Sequence, residues 1–152
     1  MLTLEDPADL AGHVGQKLGT SDWLLVDQKM IDAFAEATGD RNWFHVDPER
    51  AKDEMPGGRT IAHGYLTLSL IPRLTASIYK IKNWKRALNY GANRVRFTAP
   101  VPVNSRVRLT QTLKQAEPVE GGMRLTFEAV IEVEGSARPA MVAETIVMAV
   151  TD

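Results

Sequence analysis

The sequence predicts an α+β layer fold in which an antiparallel sheet wraps over one buried helix. Three observations carry this. Apolar residues recur at helical spacing before Lys80 and at alternate positions after it. Residues 64–79 are apolar around most of a helical circumference, as in a helix enclosed by other elements. Two long alternating segments flank Glu120-Gly121-Gly122, which has the composition of a hairpin turn. No repeat, low-complexity tract or linker interrupts the chain, so residues 1–152 are expected to form one domain.

The elements follow in order. In residues 27–38, Met30, Ile31, Phe34 and Ala35 share one face, Asp27 stands where a helix is capped and Gly39 where it ends. Asp47-Pro48 repeats the start signal, and Pro56-Gly57-Gly58 closes a short helix and loop. Within residues 64–79, Tyr65, Leu66, Leu68, Leu70, Ile71, Leu74, Ala76 and Ile78 predict burial, while Pro72 predicts a kink or a break into two pieces. Residues 87–97 form a candidate strand ended by Pro100 and Pro102. Val107, Leu109 and Leu113 alternate with Arg106, Arg108, Thr110 and Lys114. Met123, Leu125, Phe127, Ala129, Ile131 and Val133 do the same across the turn, which predicts a long hairpin. Residues 140–150, apolar on both faces apart from Glu144 and Thr145, read as a central strand.

Composition narrows the function. With 18 basic and 19 acidic side chains and no long Lys/Arg block, neither a nucleic acid nor a membrane surface is an expected partner. The absence of cysteine excludes disulfides, thiolate metal ligands and a thiol nucleophile. Glu5, Asp6 and Asp9 near the start are unlike a secretory signal, and no apolar run approaches the roughly 20 residues of a membrane span. The expectation is a cytoplasmic protein. The three histidines are dispersed and no phosphate-binding glycine loop is present, so no metal and no cofactor are expected.

Two features carry chemistry. Asp40 and His45 lie five residues apart on what reads as a loop between two helices. They can converge on one water, each accepting a hydrogen bond from it and either serving as general base. They can equally be a helix terminus and a loop histidine. Further on, Ile61-Ala62-His63-Gly64-Tyr65 lies where the apolar helix begins. There the Gly64 amide can polarise a carbonyl oxygen, or the glycine can serve only close packing on the sheet. His63 can likewise be a structural hydrogen-bonding residue.

Taken together, Gly39-Asp40-Arg41-Asn42-Trp43-Phe44-His45-Val46-Asp47 and Ile61-Ala62-His63-Gly64-Tyr65-Leu66 resemble the hydratase motif of the MaoC-like family of (R)-specific enoyl-CoA hydratases. Residues 89–101 resemble the strand after the central helix in the branch similar to nodulation protein N, and the likeness covers roughly residues 15–150. The resemblance implies a hot-dog fold and a homodimer with an acyl-thioester channel near its interface. It implies hydration of a trans-2-enoyl-CoA, or an acyl-carrier-protein thioester, to the (R)-3-hydroxyacyl product, coenzyme A being part of the substrate. It assigns the catalytic water to Asp40 and His45, the thioester carbonyl to the Gly64 amide and a supporting role to Ser69, five residues on; Asn42 stands at a position that is usually Asn. Trp43-Phe44 replaces the family's usual Pro-Leu or Pro-Ile, which bears on the pocket wall. The rival readings on the same fold are a thioesterase, which would release free thiol, and a non-catalytic acyl-thioester binding or accessory protein.

Overall fold

A computed structural model describes residues 1–152. Three short strands come first: β1 (Leu2–Leu4), β2 (Lys17–Thr20) and β3 (Leu24–Val26), with a 3-10 helix over Pro7–His13 between β1 and β2. Five helices follow, α1 (Gln28–Thr38), α2 (Trp43–Val46), α3 (Pro48–Glu54), α4 (Gly64–Ser69) and α5 (Ile71–Thr75). The chain then runs through β4 (Tyr79–Ile81), β5 (Arg86–Phe97), β6 (Ser105–Val119), β7 (Gly122–Val133) and β8 (Met141–Val150).

The helix boundaries have the expected causes. The Asp27 carboxylate accepts from Met30 N–H at 2.9 Å and Gly39 closes α1 at φ 79°, a left-handed conformation that costs an L side chain energy. Asp47 caps α3 in the same way by accepting from Arg50 N–H, with Pro48 at the first helical position. The apolar helix is two pieces, α4 and α5, joined through Leu70 with Pro72 inside the first turn of α5, where its missing N–H has no intrahelical partner to lose.

The main sheet is antiparallel, in the order β2-β6-β7-β8-β5, with β3 also pairing with β6 beyond the end of β2. A small parallel pair, β1 with β4, lies apart from it. Along β6, Val107, Leu109, Gln111 and Leu113 are buried, and along β7 so are Met123, Leu125, Phe127, Ala129, Ile131 and Val133. They share one core cluster, Gln111 excepted, with Leu66, Leu70, Leu74 and Ile78 from the helical segment. Each fully buried Leu, Ile or Phe contributes about 1.5–3 kcal/mol of transfer free energy.

Several expectations are corrected. The helix over residues 64–79 stops at Thr75, and Tyr79 belongs to β4, because β1 supplies a parallel partner that periodicity cannot reveal. It is also not enclosed all round: Tyr65 is 69% exposed, and Ser69, Pro72 and Ala76 continue that open stripe. The hairpin turn is Glu120-Gly121 alone, with Gly121 at φ 77°, since Gly122 already pairs with Val119. Three short strands precede α1, so α-helices do not come first along the chain, although the long strands do follow them. β8 is interior in the sheet, as expected, whereas β5 is an edge strand in which Leu88 and Tyr90 are exposed.

The tightest backbone approach is at the hairpin, where a Cβ on Gly122 would stand 1.9 Å from the Ala149 carbonyl oxygen. Gly122→Ala is therefore expected to destabilise the protein by more than about 2 kcal/mol in urea unfolding, since the strands must separate to admit a methyl group. Gly12→Ala, with open space around it, should change stability by less than about 0.5 kcal/mol. Equal effects at the two positions would contradict this packing.

Candidate active site

The turn after α1 places Asp40, and the short helix α2 places His45, which is therefore helical and not on a loop as the sequence suggested. Asn42 shapes the turn between them by donating Nδ2–H to Asp40 Oδ1 at 2.6 Å. The other carboxylate oxygen, Oδ2, faces His45 Nε2 at 4.0 Å. That separation is too long for a direct hydrogen bond and suits one water bridging both atoms.

The tautomer of His45 follows from its second nitrogen. Nδ1 lies 2.7 Å from the Ile61 carbonyl oxygen, which can only accept, so Nδ1 carries the proton and Nε2 presents a lone pair toward Asp40. Both atoms facing the gap are acceptors. Burial pushes His45 below its ordinary value of 6.5, aided by neighbouring His63 and only partly opposed by the Ile61 hydrogen bond and Asp40. Partial desolvation raises Asp40, but the Asn42 donors and the two imidazoles outweigh it and hold the carboxyl below its usual range. Near neutral pH the pair is a carboxylate and a neutral imidazole.

His63 completes the cluster. Its ring stacks on His45 with centroids 3.8 Å apart, and its Nε2–H donates to the Asp40 backbone carbonyl at 2.9 Å, fixing that residue from behind. Its Nδ1 is buried without a partner. One nitrogen of each imidazole and one carboxylate oxygen of Asp40 come within 4.8 Å of one another. Stacked rings, however, direct their in-plane lone pairs side by side, unlike ligands that converge on one ion.

Gly64 opens α4, where its N–H has no carbonyl one turn earlier to bond. With His45, Ile61, Thr67 and Phe97 it lines a cavity of about 290 Å³. A Cβ at Gly64 would meet the Phe97 ring at 2.9 Å, so the glycine is required for that packing as well. The fold thus brings Asp40, His45 and Gly64 to one region. Ser69 stands elsewhere: its hydroxyl donates to the Tyr65 carbonyl at 2.7 Å, and the residue lines a larger cavity of about 830 Å³ on the open side of α4 and α5.

Sequence reasoning missed the residues that hold this arrangement. Gln28, on the first turn of α1, donates to the His45 carbonyl at 2.7 Å and to Asp32 Oδ1 at 2.9 Å, and accepts from the buried Thr60 hydroxyl at 2.6 Å. Its partners lie 17 and 32 residues away in sequence, apart from Asp32 on the same helix face, so no local pattern marks it. His63, by contrast, reads from the sequence as a structural hydrogen-bonding residue, and its bond to the Asp40 carbonyl is of that kind.

Comparisons with known proteins identify the family of the chain. The profile of the MaoC like domain matches residues 9–135. The chain is 53% identical over 148 residues, 97% of both chains, to 3-hydroxyacyl-thioester dehydratase Z of Mycobacterium tuberculosis. It is 46% identical over 141 residues to nodulation protein N of Rhizobium leguminosarum bv. viciae, covering 91% of this chain and 88% of that one. An R-hydratase from Pseudomonas aeruginosa superposes with a TM-score of 0.76 at 22% identity, over 97% of this chain and 86% of the other, which supports the hot-dog fold. With its sheet, its helices and most of its length accounted for in this way, the chain belongs to the MaoC-like dehydratase family.

Proposed function

We propose that this protein is a hydro-lyase that adds water reversibly to a trans-2-enoyl thioester, giving the (R)-3-hydroxyacyl thioester. The observation that carries the reading is the pair of acceptors, Asp40 Oδ2 and His45 Nε2, 4.0 Å apart. A water donating one hydrogen to each presents its oxygen lone pair away from both, toward a bound β-carbon. As the C–O bond forms, one of the two takes the proton, and the pair titrates as a unit. Electrons of the double bond move onto the thioester oxygen, where the Gly64 amide supplies a hydrogen bond, and the protonated pair then returns its proton to the α-carbon on the same face. Dehydration is the reverse.

The name of the mycobacterial relative, a 3-hydroxyacyl-thioester dehydratase, supports the substrate class. In this reading coenzyme A, or a carrier protein, enters as part of the substrate and no resident cofactor takes part. Ser69 contributes from the acyl side of the site and not from the water side. A homodimer joined along β5 belongs to the same reading, supported by a 12-residue edge strand most of whose residues are exposed. No helix is long and apolar enough to cross a membrane.

Asp40→Asn and His45→Gln should each lower kcat by about a thousandfold with little change in KM, followed by loss of enoyl absorbance with a thiol reagent in parallel. Thiol release by the wild type would make the protein a thioesterase, and no reaction with any chain length would make it a binding protein. The pH dependence has a definite sign. Because His45 is depressed, its neutral form persists below pH 6.5 and is lost only as pH falls through the depressed value. The acid limb of kcat/KM should therefore bend below pH 6.5, and a bend at or above 6.5 would exclude a pair that works with a neutral, depressed His45.

A further inference from the structure

Strand periodicity demands an apolar residue at every second position of β6, and Val107, Leu109 and Leu113 obey it. Gln111, in the same inward row, does not, although it is only 2% exposed. The Thr75 hydroxyl donates to its Oε1 at 3.0 Å, and its Nε2 has no protein partner. Tyr79 is a second exception: the residue is 8% exposed and its phenol makes no hydrogen bond, so burial alone pushes it up to about 12.

Buried polar groups are almost always paired, so two exceptions close together need a cause. Both residues line the cavity of about 830 Å³ that opens beside α4 and α5, with Phe127, Ile146 and Val147 among its apolar walls. His63 Nδ1 is the one enclosed side-chain polar atom without a partner, so Gln111 Nε2 and the Tyr79 hydroxyl are not sealed in protein. Each keeps a face open, and the cavity is the space they line.

We infer that this cavity receives the distal part of the acyl chain and selects chains that carry an oxygen there, a hydroxyl or a keto group, through Gln111 and Tyr79. The inference rests on the acyl-thioester reading given above. From Gly64, where the thioester carbonyl binds in that reading, to Thr75, which holds Gln111, the helical segment advances about 16 Å at about 1.5 Å per residue. A butenoyl group cannot span this, whereas an extended chain of lauroyl length comes within side-chain reach of Gln111. An amide that donates and a phenol that donates or accepts match a hydroxyl fully and a carbonyl oxygen as acceptor. An unsubstituted chain in the same place leaves both groups unpaired, which is how a polar pocket rejects an analogue lacking the oxygen.

The test uses saturated thioesters, so that binding is read without turnover: lauroyl-CoA and its derivatives hydroxylated at the terminal or the mid-chain carbon, titrated by calorimetry. The wild type should bind at least one hydroxylated chain about tenfold more tightly than lauroyl-CoA. Gln111→Leu and Tyr79→Phe should each bring that ratio close to one by weakening binding of the hydroxylated chain. Tyr79→Phe removes a single oxygen and keeps the question open to measurement if Gln111→Leu does not fold. No preference in the wild type, or a preference that both variants keep, overturns the inference and leaves the two groups to ordered water. Turnover of the enoyl thioesters is measured separately. Hydration without an oxygen preference sinks only this inference, and an oxygen preference without hydration sinks only the hydratase reading.

Discussion

The hydrogen bond from His45 Nδ1–H to the Ile61 carbonyl is the contact on which the site depends, because it settles two matters at once. It fixes which imidazole nitrogen holds the proton, and it ties α2 to the strand-like segment that leads into α4. Ile61 N–H returns the tie by donating to the Phe44 carbonyl at 3.0 Å. The segment is itself anchored to the far side of the fold, through Ala62 N–H to the Val101 carbonyl and Val103 N–H to the Thr60 carbonyl. The imidazole is thus held by backbone, which has fewer ways to yield than a side-chain partner would.

Around this tie the polar groups are shared with economy. Gln28 joins the His45 carbonyl to Thr60, and His63 joins the Asp40 carbonyl to the start of α4. The two halves of the site, one on the turn after α1 and one at the start of α4, are linked by these side chains. Such supports determine how closely reacting groups keep their geometry, and an error of about 1 Å is enough to matter.

Much of this was legible in the chain, for physical reasons that differ by element. α1 and α3 were readable because their caps are local: Asp27 and Asp47 bond three residues ahead. The β6–β7 hairpin was readable because side-chain alternation and turn chemistry coincide. The strands β1 to β4 were not, since each is three or four residues long and exists only through a partner distant in sequence. At the site, Asp40, His45 and Gly64 were legible through motif spacing, whereas the tautomer, the His45–His63 stacking and the Gln28 relay are properties of the folded chain. Gln111 lay in plain view as a polar residue in an apolar row, and only its burial gives it meaning.

The ring of Phe97 resting on Gly64 has a consequence for how the glycine can be studied. Any side chain there displaces the aromatic ring before it touches a substrate, so a loss of activity on substitution reports packing and hydrogen bonding together. Position 64 answers to two masters, and side-chain mutagenesis cannot tell them apart. Replacing the backbone amide by an ester, which deletes the N–H and adds no bulk, separates the donor from the space it occupies.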